Sequence, residues 1–137
     1  MTRRVLVPMD DSEPARAALE HALSVFPTDE VTVVHVVDDL EAGYGGRPPV
    51  TTGGGDDADD PDFFDDVSAI AAERDRTVDT AVIEGTSADA ILEYAREEDV
   101  DQIVMGSEGR SGVSRMLLGS VAEAVTRQAS IPVTIVP

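Results

Sequence analysis

Cysteine, tryptophan and lysine are all missing from the 137 residues of this chain. Without cysteine there is no disulfide framework, no thiolate zinc site and no cysteine nucleophile, and the count carries nothing about redox compartment. Without lysine there is no P-loop lysine, and no Gly-x4-Gly-Lys-Ser/Thr run occurs. A Gly-x-Gly-x-x-Gly after the first strand is absent too, which argues against NAD. No apolar run approaches the ~20 residues of a membrane span. The start, Met1 to Pro8, is basic, but its apolar stretch is too short for a signal-peptide core and charges follow at once, so a soluble cytoplasmic protein is expected.

Basic residues are scarce: ten arginines stand against 17 aspartates and 11 glutamates, a formal charge of −18. Such a surface repels DNA. It also pushes the compact state apart, a push that salt relieves by shrinking the Debye length to roughly 3 Å at 1 M. The lysine-free, aspartate-rich composition resembles that of proteins from extreme halophiles, which speaks of habitat and not of activity. The length suits one domain over 1–137, able to hide about two thirds of the surface of its unfolded chain without help from metal or disulfide.

One segment stands apart. Residues 38–66 hold ten acids and one base, half of the net charge of the whole chain. Gly43, Gly45, Gly46, Pro48, Pro49 and Gly53-Gly54-Gly55 lie among them, so 41–60 is read as a mobile acidic loop without a packed core.

Elsewhere short β-branched runs alternate with helical stretches. Val5-Leu6-Val7 is a first strand stopped by Pro8. Ser12 is placed to cap a helix that tolerates Pro14 in its first turn and repeats Ala15, Ala18, Leu19, Ala22 and Leu23 at helical spacing. Val31 to Val37 is a second strand, apolar on both faces as a central parallel strand must be. Phe63, Phe64, Val67, Ile70 and Ala71 mark a second helix, and Val78 to Glu84 a third strand at an edge, ended by Gly85. Thr86 with Asp89 makes a capping-box start for a third helix. Ile103-Val104-Met105 is strand four, a helix runs from about Ser120 to Ala129, and Ile131 to Val136 is strand five. Five strands alternating with four helices specify an α/β, doubly wound parallel sheet covered on both faces. Ligands of such sheets bind at the carboxyl ends of the strands where the winding reverses, which directs attention to the sequence after strands one and four.

After strand four, glycines at 106, 109, 112 and 119 precede a helix start. Glycine lets backbone N–H groups approach a polyanion, and a helix N-terminus adds unpaired donors with a partial positive charge. This is a phosphate cradle or a plain glycine-rich turn. Ser120 with Glu123 also fits an ordinary capping box.

The spacing Gly106-x2-Gly109-x9-Gly119-Ser120 matches at every position the nucleotide-binding signature of the universal stress protein (UspA) family. Other stretches resemble that family as well: Val5 to Asp10 followed by Ser12-Glu13, His35-Val36-Val37-Asp38, Gly85 before the third helix, Asp101 to Gly106, and Ile131 to Val136. The likeness spans nearly the whole chain, with only 41–60 departing from it.

The resemblance implies a Rossmann-like sheet, of the adenine nucleotide α-hydrolase-like kind, in the order 3-2-1-4-5, with ATP across the gap between strands one and four. Carried over, Pro8, Met9 and Asp10 line the gap and the Val36 backbone meets the adenine edge. Met105 and Gly106 lie beneath the ribose and phosphates, and Gly109, Gly119, Ser120 and Val121 hold the triphosphate. Asp10 stands near a Mg²⁺ ion, although Asp10-Asp11-Ser12 equally suits any helix start. Arg110 and Arg115 are within reach of a phosphate or of the many carboxylates, Arg110 being the favoured one. Family members without the glycine signature generally do not hold ATP.

Strand five would then be a sheet edge, and an uncovered edge is a liability. The family often pairs this strand across a two-fold axis, so a homodimer through Ile131, Val133, Thr134, Ile135 and Val136 is expected, with a monomer whose tail hides the edge as the alternative. Asp57-x-Asp59 hints at calcium, but Pro61, Asp62 and Ser68 occupy positions where an EF-hand needs a ligand, a glycine and a glutamate. His21 and His35, far apart in sequence, are read as structural.

The reading that follows is an ATP-binding stress or signalling module with at most slow hydrolysis, since only Asp10 and Glu108 stand near the expected phosphates and no general base is evident. The alternatives are a dimeric adaptor that binds no nucleotide and a small ATP-dependent hydrolase or ligase.

Overall fold

A computed structural model describes residues 3–37, 61–107 and 119–137. The acidic segment 41–60, and Glu108, Gly109, Arg110 and Arg115, lie outside the described residues. The elements in chain order are β1 (Arg4–Pro8), α1 (Glu13–Val25), β2 (Glu30–Val37), α2 (Phe64–Glu73), β3 (Asp79–Glu84), α3 (Ser87–Glu97), β4 (Gln102–Gly106), α4 (Ser120–Gln128) and β5 (Val133–Val136). The strands form one parallel sheet in the order β3-β2-β1-β4-β5, so winding runs outward from β1 to β3 and then crosses to β4 and β5.

Side-chain alternation along the strands sorts the core onto two faces. Val5, Val7, Val31, Val33 and Val104 pack with α1 and α2 through Leu19, Leu23, Phe64 and Val67. Leu6, Val34, Ile103 and Met105 pack with α3 and α4 through Ile91, Leu92, Ala95 and Val125. Burying both faces explains why the strands read as continuous apolar runs.

The helix ends show how local chemistry sets the chain's direction. Ser12 caps α1, its Oγ accepting from the Ala15 N–H at 3.3 Å, with Pro14 in the first turn where its missing N–H costs nothing. Thr86 occupies the N-cap of α3 as expected, yet its side chain makes no cap bond. At α4 the expectation is corrected: Gly119, with φ −64° and ψ 160°, is the N-cap and Ser120 is the first helical residue, so Ser120 and Glu123 form no capping box. At their C-terminal ends α2 and α3 close in the same way. The Arg76 N–H bonds the Ala71 carbonyl and the Val100 N–H the Ala95 carbonyl, with Asp75 (φ 55°) and Asp99 (φ 52°) in the left-handed conformation usually given to glycine.

β5 starts at Val133 and not at Ile131, because Pro132 has no N–H to place in a ladder; its carbonyl accepts from Ile103 at 3.0 Å. Among the described residues no helix is long and apolar enough to cross a membrane.

Candidate functional site

β1 and β4 are neighbours that feed helices on opposite faces, α1 toward one and α4 toward the other, so a crevice opens beyond their carboxyl ends. A cavity of about 290 Å³ occupies this position. Pro8, Met9 and Asp10 line it from β1, Val34, His35 and Val36 from β2, and Met105 and Gly106 from β4. Gly119, Ser120, Val121 and Ala122 close it at the start of α4, Ser87 and Ile91 reach it from α3, and Ala15 from α1. All nine described residues selected from the sequence for the nucleotide site therefore surround one space: Pro8, Met9, Asp10, Val36, Met105, Gly106, Gly119, Ser120 and Val121.

The two ends of the cavity differ in chemistry. Toward β2 it is walled by Val34, Val36 and Ile91, with His35 as the polar side chain on that strand. β1 ends in register with Val34, and the Met9 N–H reaches the Val34 carbonyl at 2.8 Å. Backbone polar groups two residues apart on a strand point the same way. The N–H and C=O of Val36 are thus directed toward the β1 side at a level where β1 has no residue opposite, offering an adjacent donor and acceptor at the apolar end.

The other end is built from helix starts. Ser120, Val121 and Ala122 occupy the first turn of α4, where no intrahelical carbonyl is available to their N–H groups; the first such bond runs from Glu123 to the Gly119 carbonyl at 2.9 Å. Gly119 is itself fixed by an N–H bond of 2.8 Å to the Ser107 carbonyl, and Ser107 by one of 2.9 Å to Val136. Ser87 brings the start of α3 to the same space. Among the described residues neither α3 nor α4 has a side-chain cap, whereas α1 is capped by Ser12. No arginine is among the described lining residues, and what those residues offer an anion at this end is backbone N–H groups and helix dipoles.

Asp10 is the one carboxylate among the described lining residues, and it accepts a hydrogen bond from the Ser12 hydroxyl. Its neighbour Asp11 pairs with Arg16, which also reaches Asp66 on α2 at 3.1 Å. Among the described residues no group of three or more metal-ligating side chains occurs. A single carboxylate fits Mg²⁺ only where phosphates and water complete the octahedron.

Gly106 has a different reason for being glycine from the one its motif suggests. A Cβ there would stand 2.7 Å from the Pro14 carbonyl carbon and 2.8 Å from its carbonyl oxygen, so the close approach is to the start of α1. His21 is exposed on α1. His35, read from sequence as structural, lines the cavity, with Nδ1 3.1 Å from the Met9 carbonyl oxygen and its ring edge-on to Phe63. The sequence reading missed Ala15, Val34, His35, Ser87, Ile91 and Ala122; the available signal was their position near the end of a strand or in the first turns of helices on the carboxyl side of the sheet.

Comparison with known proteins agrees with this architecture. The universal stress protein family model matches residues 1–137. Universal stress protein MJ0531 of Methanocaldococcus jannaschii is 31% identical over 143 residues, covering 98% of this chain and 81% of its own length. The structure of MJ0577 from the same organism superposes with a TM-score of 0.74 at 28% identity, covering 99% of this chain and 96% of that one. A universal stress protein family member from Arabidopsis thaliana with AMP bound shares the fold at a TM-score of 0.62 and 18% identity, over 98% and 90% of the two chains. With the whole chain matched and its sheet order and crevice in place, this protein belongs to the universal stress protein family.

Proposed function

We propose that the chain is an ATP-binding universal stress protein, a nucleotide-dependent signalling module in which the cavity between β1 and β4 holds the nucleotide. The observation that carries this reading is the polarity of that cavity. An apolar slot edged by the Val36 backbone suits a purine, and it runs to the uncapped start of α4, where three N–H groups suit phosphate oxygens. The Arabidopsis relative of the same fold holds AMP. Gly109 and Arg110 complete the phosphate end in this reading, and Asp10 faces Mg²⁺. Mg²⁺ held there by Asp10 would neutralise phosphate charge.

Asp10, the one acid among the described lining residues, is engaged by Ser12, and in this reading the module binds ATP with at most slow hydrolysis. Thermal unfolding of nucleotide-stripped protein tests the reading. A ligand that binds only the folded state raises the midpoint as its concentration rises. ATP is expected to do so and ribose 5-phosphate, which lacks the base, to do so far less; equal shifts, or none, would contradict it.

The dimer is proposed at the β5 edge. The Pro132 carbonyl accepts from Ile103 of β4 and the Val136 carbonyl from Ser107 just past it, which leaves the N–H and C=O of Val133 and Ile135 directed outward. Two copies related by a two-fold axis near Thr134 would satisfy those groups mutually. Sedimentation equilibrium showing monomer at all concentrations would remove this part of the reading. The net charge of −18 is proposed to suit a salt-rich cytoplasm, and an unfolding midpoint that fails to rise with KCl would count against that.

A further inference from the structure

We propose that His35 is a positioning residue for the metal end of the cavity: it holds the Met9–Asp10 peptide so that the Asp10 carboxylate keeps its direction. The inference rests on the nucleotide reading above and adds to it a residue outside the glycine signature.

The Met9 carbonyl oxygen can only accept, so a ring nitrogen 3.1 Å away must donate, and Nδ1 carries the hydrogen. In the neutral ring Nε2 is then the acceptor. The Met9 carbonyl belongs to the planar peptide group whose other half is the Asp10 nitrogen. Fixing that oxygen fixes the plane from which the Asp10 side chain departs.

Both backbone polar groups of Met9 are in this way tied to β2, its N–H to the Val34 carbonyl at 2.8 Å and its carbonyl to His35. On its other side Asp10 accepts from Ser12, the cap of α1. The carboxylate therefore stands between two anchors, one on β2 and one on α1. The imidazole is steadied in turn by Phe63, ring centroids 5.2 Å apart at 79°, and Phe63 by Phe64 at 5.2 Å and 81°. An edge-to-face aromatic pair fixes the plane of the ring, and with it the line along which Nδ1–H points.

Position-specific substitutions separate the ring from its donor. Asparagine places its amide nitrogen near the place of Nδ1, glutamine near that of Nε2, and phenylalanine keeps the ring without any donor. We would measure the affinity of ATP with Mg²⁺ and with excess chelator for the intact protein and for His35→Phe, His35→Gln and His35→Asn. Unfolding curves would establish that each variant is folded.

The intact protein is expected to bind ATP more tightly with Mg²⁺. His35→Phe and His35→Gln should lose about fivefold of that gain, the scale of one hydrogen bond. Affinity in chelator should fall by less than affinity with Mg²⁺, and His35→Asn should retain most of the Mg²⁺ gain. A loss that is equal with and without Mg²⁺, or equal among the three variants, would overturn the positioning role while leaving nucleotide binding intact. Intact protein that binds ATP with no Mg²⁺ gain would overturn it as well, and intact protein that binds no ATP would remove the nucleotide reading itself. The nitrogen-15 spectrum of the unsubstituted protein checks the tautomer without any variant: a proton on Nδ1 is expected, and a proton on Nε2 alone would overturn the proposal.

Discussion

Gly106, the last residue of β4, stands so close to Pro14 at the start of α1 that a Cβ would lie 2.7 Å from the Pro14 carbonyl carbon. Two of the three nearest atoms, that carbon and the carbonyl oxygen, are backbone and cannot turn aside. Gly106→Ala should therefore destabilise the fold by about 1–3 kcal/mol, the scale of overpacking. Pro14→Gly should not rescue it, because the clash with backbone remains. Thermal unfolding of the single and double variants checks both statements, and an unchanged midpoint for Gly106→Ala would mean that β4 and α1 separate more easily than their packing implies.

Ser120 allows the phosphate end to be tested with little disturbance of the fold. It is the first residue of α4, where proline is well tolerated, and the extended backbone of Gly119 (φ −64°, ψ 160°) suits a residue before proline. Ser120→Pro deletes one N–H and the hydroxyl, whereas Ser120→Ala deletes the hydroxyl alone. ATP affinity should fall about tenfold in the proline variant, the scale of a hydrogen bond to a charged group, and less in the alanine variant. Equal affinities with an intact helix would show that the amide at 120 does not meet the ligand.

Asp75 and Asp99 adopt φ of 55° and 52° just past the ends of α2 and α3. Replacing either by glycine removes the steric penalty of the left-handed conformation and one negative charge of a strongly acidic chain. Stability should rise by roughly 0.5 kcal/mol for each, the left-handed penalty less the larger unfolded-state entropy of glycine. Urea unfolding reads this directly, and a fall in stability would show that a carboxylate contact outweighs the strain.

Tyr94 on α3 is half-buried, and burial first, then the nearby Glu98 and Asp79, push its phenol above its ordinary value of 10.0, with Arg4 opposing. The unfolded chain thus gives up this proton more readily than the folded one. Stability should be unaffected well below pH 10 and fall as pH rises from there through the folded value. Tyr94→Phe should show a shallower alkaline loss than the unsubstituted protein. Identical alkaline profiles would remove the cause given for it.

The sheet was legible because its strands are β-branched runs at regular distance, and the crevice because Asp10, Gly106 and Gly119 follow two of them. Position in the chain did not reveal which physical demand each residue meets. The Ser120–Glu123 spacing fits a capping box, but the extended backbone at Gly119 moves the cap back by one residue. Gly106 fits a phosphate motif, but its near neighbour is Pro14, 92 positions earlier, a contact that only tertiary packing creates. His35 lies in an apolar run that reads as core throughout, and it borders the cavity only because β2 extends past the end of β1. Asp75 and Asp99 carried no signal, since helix ends of this kind usually show glycine.

The crevice between β1 and β4 is proposed to hold one adenine nucleotide per chain. Calorimetric titration of nucleotide-stripped protein with ATP in molar KCl, with and without Mg²⁺ and followed by assay for ADP, tests it most directly. Saturable binding at one site per chain, tighter with Mg²⁺ and with little ADP formed, is the predicted result. The absence of binding heat in protein shown to be folded and free of carried-over nucleotide would contradict it.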